Sequence, residues 1–237
     1  MYLKKIIYIL LFTVNAVAAA MDASDRASAL YENMDWKGAL SEYEKLIDEG
    51  YTNWQIYFNA GNCFFRMGDF PRARLYYLRA ERRMPREKDI KYNLSIVGKK
   101  LNLREENAGF LILFIKYFSM SEVKNAVVGT FWILMILTAL FIIKRREFFV
   151  WSGAFVFIVW VFEVSVLYGK AGYEKKGKCA VVLEKENMLS GPGTSYKVIA
   201  EIPAGCDIQI YDREEGWVFA KVSTSGGWIR EDAIEKI

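Results

Sequence analysis

The chain has 237 residues, with 32 Lys and Arg against 28 Asp and Glu, a formal charge of +4, 53% hydrophobic residues and 25% charged ones. A surplus that small and scattered does not make a nucleic-acid surface, and the complete lack of histidine removes histidine general bases, Ser-His-acid triads and the commonest metal ligand. Cys63, Cys179 and Cys206 lie far apart and form no CxxC pair, so the sequence offers no catalytic residue, no metal site and no cofactor motif.

At the amino terminus Lys4 and Lys5 precede an apolar run from Ile6 to Val17, followed by the small-residue exits Ala16-Val17-Ala18 and Ala18-Ala19-Ala20. These are the parts of a secretory signal peptide over residues 1–20, cleaved before Ala19 or Met21, or of an uncleaved anchor. Either version exports the segment after it.

Residues 22–105 read as helices over Ala27 to Met34, Trp36 to Asp48, Trp54 to Met67, Phe70 to Met84 and Asp89 to Leu101, punctuated at Asp35, Gly50, Gly68-Asp69 and Pro85. One phrase occurs twice: Asp35-Trp36-Lys37-Gly38-Ala39-Leu40 with Tyr43 answers Asp69-Phe70-Pro71-Arg72-Ala73-Arg74 with Tyr77 at an offset of 34. That period, with Tyr57, Ala60-Gly61, Phe64, Ala80 and Pro85, is the signature of a tetratricopeptide array. Small residues stand where antiparallel helices approach closely, and aromatic ones fill the layers between pairs. Asn59 and Asn93 repeat the spacing, so Asp89 to Leu101 reads as the opening helix of a capping unit. Arginines crowd the second copy. Arg66, Arg74, Arg82 and Arg86 are the candidate protein-binding residues, suited to a peptide carboxylate or an acidic segment; the other reading of this face is a solvated surface near anionic lipid.

Residues 109–118 (Gly109 to Phe118) are too few to span a bilayer and read as an interfacial segment, with Lys116 snorkelling to the headgroups, or as a last helix packed on the array. Ser119 and Glu122 are spaced as a capping box. Then come two long apolar runs, one within residues 121–143 and one over 148–168, joined by Lys144-Arg145-Arg146-Glu147 at residues 144–147. Neither run keeps the polar stripe of a soluble core helix, and each is long enough to cross a hydrocarbon core of about 30 Å. An exported array followed by two spans puts both soluble modules on the same, extracytoplasmic side. The basic hinge agrees with a cytoplasmic turn, whereas Lys170, Lys175, Lys176 and Lys178 run against that rule. Glu163 is the one ionisable residue inside either run. It must be neutralised, watered or paired, either by Lys124 or Lys170 at the outer surface or by a polar group in a partner's membrane helix.

Residues 179–237 change period. Ala180 to Leu183, Ile208 to Tyr211, Trp217 to Val222 and Trp228 to Arg230 read as short strands between glycine-rich turns, which makes a small all-β barrel. Trp217 and Trp228 each follow a glycine; at least one is expected to fill the core or wall a groove, and both are candidate binding residues. A Cys179–Cys206 bridge is chemically permitted in an exported module, but no strand pairing legible in the sequence brings the two together.

The stretch Glu186 to Val198, with Pro203-Ala204-Gly205, Gly216-Trp217-Val218 and Gly227-Trp228-Ile229, resembles the bacterial SH3 domain family, although Leu189 stands where that family very often has arginine. The whole order of parts is that of a multidomain membrane protein with an all-α tetratricopeptide array, a transmembrane helical hairpin and a small SH3-like barrel. It resembles the BatE-type family of the Bacteroides aerotolerance cluster, most strongly at Asn59 to Phe70 and the SH3 motifs. The resemblance implies a non-enzymatic inner-membrane protein whose partners are other membrane proteins, including von Willebrand factor A domain Bat proteins and a MoxR-type ATPase system. Two function classes are open to such a chain: a scaffold that assembles proteins at the membrane, and a cell-wall sensor whose barrel binds peptidoglycan.

Overall fold

The computed structural model describes residues 23–103, 110–176, 178–222 and 225–237. The signal-peptide stretch, residues 1–20, lies outside the described residues.

Five helices come first: α1 at residues 23–32, α2 at Trp36–Asp48, α3 at Trp54–Met67, α4 at Phe70–Arg83 and α5 at Lys88–Lys100. Short turns join them and each of α2 to α4 packs on its successor, which makes neighbours antiparallel. The aspartates of the repeated phrase do the same work twice. Asp35 accepts from the Gly38 amide and Asp69 from the Arg72 amide, capping the orphan donors at the starts of α2 and α4. Gly68 ends α3 in the left-handed conformation at φ 82°, where a side chain would be strained.

The 34-residue offset is visible in the packing. Ala39 and Ala73, Tyr43 and Tyr77, Ile56 and Ile90, and Cys63 and Val97 are all buried in one cluster. Gly61 lies against the Tyr77 ring so closely that a Cβ there would stand 2.7 Å from it. Burial pushes the Cys63 thiol up to about 12, so it is an apolar filler and not a nucleophile.

The helix α6 (Phe110–Tyr117) leads into α7 (Met120–Lys144), and α8 (Glu147–Lys176) returns. The capping box at the start of α7 is complete: Ser119 Oγ accepts from the Glu122 amide at 3.2 Å, and Glu122 Oε2 accepts from the Ser119 amide at 2.8 Å. Met120–Lys144 and Glu147–Gly172 are long and apolar enough to cross a membrane, with mean hydropathies of 2.6 and 2.0, and their apolar windows lie outside the protein's own interior. Arg145 makes the turn between them in the left-handed region at φ 46°.

Seven strands follow among the described residues: β1 Lys178–Val182, β2 Glu186–Leu189, β3 Val198–Ile202, β4 Asp207–Glu214, β5 Trp217–Val222, β6 Ser225–Arg230 and β7 Ile234–Lys236. They form one antiparallel sheet in the order β3-β2-β6-β5-β4-β1-β7. Residues from both ends of that order, Ile202 and Met188 at one and Ala180 and Val182 at the other, share a single core with Ile208, Val218 and Ile229, so the sheet folds over on itself. Alternation along β1 then matters for the whole molecule. Ala180 and Val182 point into the sheet's core, whereas Val181 between them is buried in the helical cluster, with Leu183 and Ile237 packed beside it.

Candidate functional site

The arginines of the second repeat meet the sheet. Arg74 donates through Nη1 to the Gly205 carbonyl at 2.8 Å and pairs with Asp207, its Nη2 lying 3.1 Å from Oδ2. Arg79 donates to Glu235 Oε1 at 2.9 Å and to the Lys236 carbonyl at 2.5 Å, and Arg82 to the Ile237 carbonyl at 2.8 Å. Arg79 and Arg82, three apart, share a face of α4, and Arg74, eight residues before Arg82, lies about 80° from it around the helix. Gly205 must be glycine here on two counts: its φ is 81°, and a Cβ would come within 2.3 Å of a Leu101 methyl. The cationic face read from the sequence as open to a partner is thus taken, at Arg74, Arg79 and Arg82, by the chain's own last strand and the turn before β4. Carbonyl groups and carboxylates do occupy it, but from within the protein.

Arg86 serves a different junction. Its guanidinium pairs with Glu122 of the α7 capping box and lies 5.2 Å and 5.8 Å from the ring centres of Tyr117 and Phe118, geometry suited to cation–π attraction. Arg66 lies elsewhere again, donating through Nε to the Tyr31 hydroxyl at 3.2 Å with its guanidinium 5.8 Å from the Trp36 ring centre. The four candidate arginines therefore do not form one groove: Arg74 and Arg82 dock the sheet, Arg86 docks the junction of α6 and α7, and Arg66 braces α1 and α2.

Neither tryptophan fills the core. Alternation along β5 and β6 buries Val218, Ala220, Gly227 and Ile229 and turns Trp217, Phe219 and Trp228 to the outer face. There Phe219 stands opposite Trp228 in register, with ring centres 5.6 Å apart in an edge-to-face contact. Tyr196, about half exposed, covers Gly191, where a Cβ would come within 2.4 Å of its ring. Cys179 and Cys206 are not joined by a disulfide, and Cys206 Sγ lies 3.6 Å from the Asp207 carbonyl. Burial raises the Cys179 thiol above its ordinary range against the pull of Arg82.

In the hairpin the Thr130 hydroxyl donates to Glu163 Oε2 at 2.6 Å. Glu163 thus has an intrachain partner in Thr130, beside the partners expected from the sequence. It lies about five residues, roughly 7.5 Å, inside the end of its apolar run, and Thr130 stands at that level on the facing helix. Lys170 instead donates to the Ile115 carbonyl at 3.1 Å and is buried, tying α6 to the end of α8 beyond its apolar run. The sequence offered the hydroxyl of Thr130; what it lacked was the rotational setting of one span against the other.

No family model matches the chain. Over 47 residues, 20% of this chain, it is 36% identical to YrvJ of Bacillus subtilis (strain 168), whose name assigns it as an N-acetylmuramoyl-L-alanine amidase. The matched stretch is 9% of that protein's length, so the likeness covers only a small part of each chain.

Proposed function

We propose that the chain is a non-enzymatic membrane scaffold of the BatE type, in which a tetratricopeptide array and an SH3-like barrel are held as one unit at the extracytoplasmic end of a two-span hairpin in the inner membrane. The observation that carries this reading is the set of arginine contacts from the array: Arg74, Arg79 and Arg82 to the sheet, Arg86 to the start of α7. A chain that spends its cationic face on fixing its modules to each other and to the membrane presents their remaining surfaces in a constant orientation, which is what assembling other membrane proteins requires. The aerotolerance-cluster partners enter through the family resemblance.

A second reading, cell-wall binding by the sheet, is favoured by the YrvJ match and by the outward aromatic face of Trp217, Phe219 and Trp228, of the kind that stacks on sugar rings. The test uses the full chain in detergent, sedimented with purified peptidoglycan, beside co-purification from membranes. The scaffold reading expects membrane proteins to co-purify and no sedimentation with the cell wall. Sedimentation that is lost in a Trp217→Ala, Trp228→Ala double variant would replace it with the cell-wall reading.

A further inference from the structure

Where the array, α6, the end of α8 and the sheet converge, they enclose a cavity of about 240 Å³. At roughly 30 Å³ per water, that is room for about eight waters, or for a phosphate with a small alcohol attached. Four cations line it from four elements, Arg82 of α4, Lys116 of α6, Lys170 of α8 and Lys221 of β5, against the carboxylates of Glu81 and Asp207. Asp207 is already paired with Arg74. Burial raises the Glu81 carboxyl above its ordinary value, opposed by Lys116, Lys91 and Arg74 and reinforced by Asp207. Cations thus outnumber carboxylates among the lining side chains; Arg82, with five N–H donors, gives donors to Ile237 and Cys179, and Lys221 lies 4.8 Å from the Tyr211 ring centre. Two of the walls belong to the membrane-proximal segments: α6, whose Leu113 and Tyr117 are exposed, and α8 immediately beyond its apolar run.

We propose that this cavity takes the phosphate of an anionic phospholipid headgroup from the leaflet beside the array, with the acyl chains lying along α6 and the hairpin. A lipid held there would touch the array, the sheet and both ends of the membrane segment at once, and so act as a fourth brace for their docking. The inference rests on the hairpin crossing a bilayer.

The test uses the full chain, freed of lipid in detergent and titrated with phosphatidylglycerol, phosphatidylcholine or inorganic phosphate while native mass spectrometry counts bound molecules. The Lys116→Gln, Lys221→Gln double variant changes two exposed side chains and leaves the core alone. Phosphatidylglycerol should bind the wild type about tenfold or more tighter than the double variant, given about 1 kcal/mol for each cation near an anionic headgroup. Phosphatidylcholine should bind both versions weakly. Equal binding of the two lipids, or equal binding by the two proteins, would overturn the proposal, and displacement of the lipid by equimolar inorganic phosphate would assign the cavity to free phosphate instead. Flotation of both proteins with phosphatidylglycerol vesicles separates the two levels: a chain that floats yet shows no lipid preference sinks the cavity alone, whereas one that does not float sinks the membrane reading with it.

Discussion

Tyr77→Ala is expected to destabilise the helical array by about 3–5 kcal/mol, the cost of deleting a large buried aromatic. Tyr77 is 1% exposed, its ring lies against Gly61 and 5.6 Å from that of Phe58, and its hydroxyl donates to Asn62 Oδ1 at 2.7 Å. The same Asn62 oxygen accepts from Asn93 at 3.1 Å, so α3, α4 and α5 meet at this one side chain. Tyr77→Phe should cost only about 1 kcal/mol, the usual net worth of a hydrogen bond whose acceptor keeps another donor. Gly61→Ala should cost about 1–3 kcal/mol through overpacking in the wild type and much less beside Tyr77→Ala, because the ring it would strike is gone. Urea unfolding of the full chain in detergent, followed by helical circular dichroism, measures all four variants against the wild type. Additive losses for the Gly61 and Tyr77 changes would mean that this contact is not what Gly61 is for.

Gly227→Ala is expected to cost the sheet about 1–3 kcal/mol by overpacking. A Cβ there would stand 2.4 Å from Met188 Cγ and 2.8 Å from the Leu189 carbonyl oxygen. Methionine can move aside, but the Leu189 backbone is paired with Trp228 of β6, and shifting it opens the join between β2 and the rest of the sheet. The neighbour Gly226 gives the control: its Cβ would meet only side chains, at 3.2 Å from the Phe219 ring and 3.3 Å from Lys221, so Gly226→Ala should be the milder change. Tryptophan fluorescence during unfolding reports the sheet on a background in which Trp36, Trp54, Trp132, Trp151 and Trp160 are changed to Phe, since Trp217 and Trp228 flank the affected pairing. An unaltered midpoint for Gly227→Ala would contradict the packing described.

Much of the helical part was legible because its signals are local. Asp caps, Gly68, Pro71 and the 34-residue repetition of Ala and Tyr fix where α2 to α5 start and stop, and their observed bounds fall within a residue or so of the expected ones. In the sheet, β1, β4, β5 and β6 showed alternation, whereas β2, β3 and β7 did not. β3 carries Val198 and Ile199 half exposed at an edge, so its apolar residues do not follow its burial, and β7, at three residues, has no room to display a period of two. The site was the least legible part. Arginine clustering was plain, but beside the carboxylates of Asp207 and Glu235 its partners include backbone carbonyls of Gly205, Lys236 and Ile237, groups every residue has and no composition announces. Val181 makes the same point: an apolar residue between two others in a strand reads as core, and only the packed structure says which core.

Impermeant thiol labelling of intact cells tests most directly the claim that array and sheet stand together on one side of a two-span hairpin. On a background with Cys63→Ala, Cys179→Ser and Cys206→Ser, single cysteines are placed at exposed positions: Glu49→Cys in the array, Glu214→Cys in the sheet and Arg146→Cys at the hinge. A hairpin of this orientation predicts that the first two label in intact cells and that the hinge labels only after permeabilisation. Labelling of the array and the sheet from opposite sides, or of the hinge from outside, would contradict it.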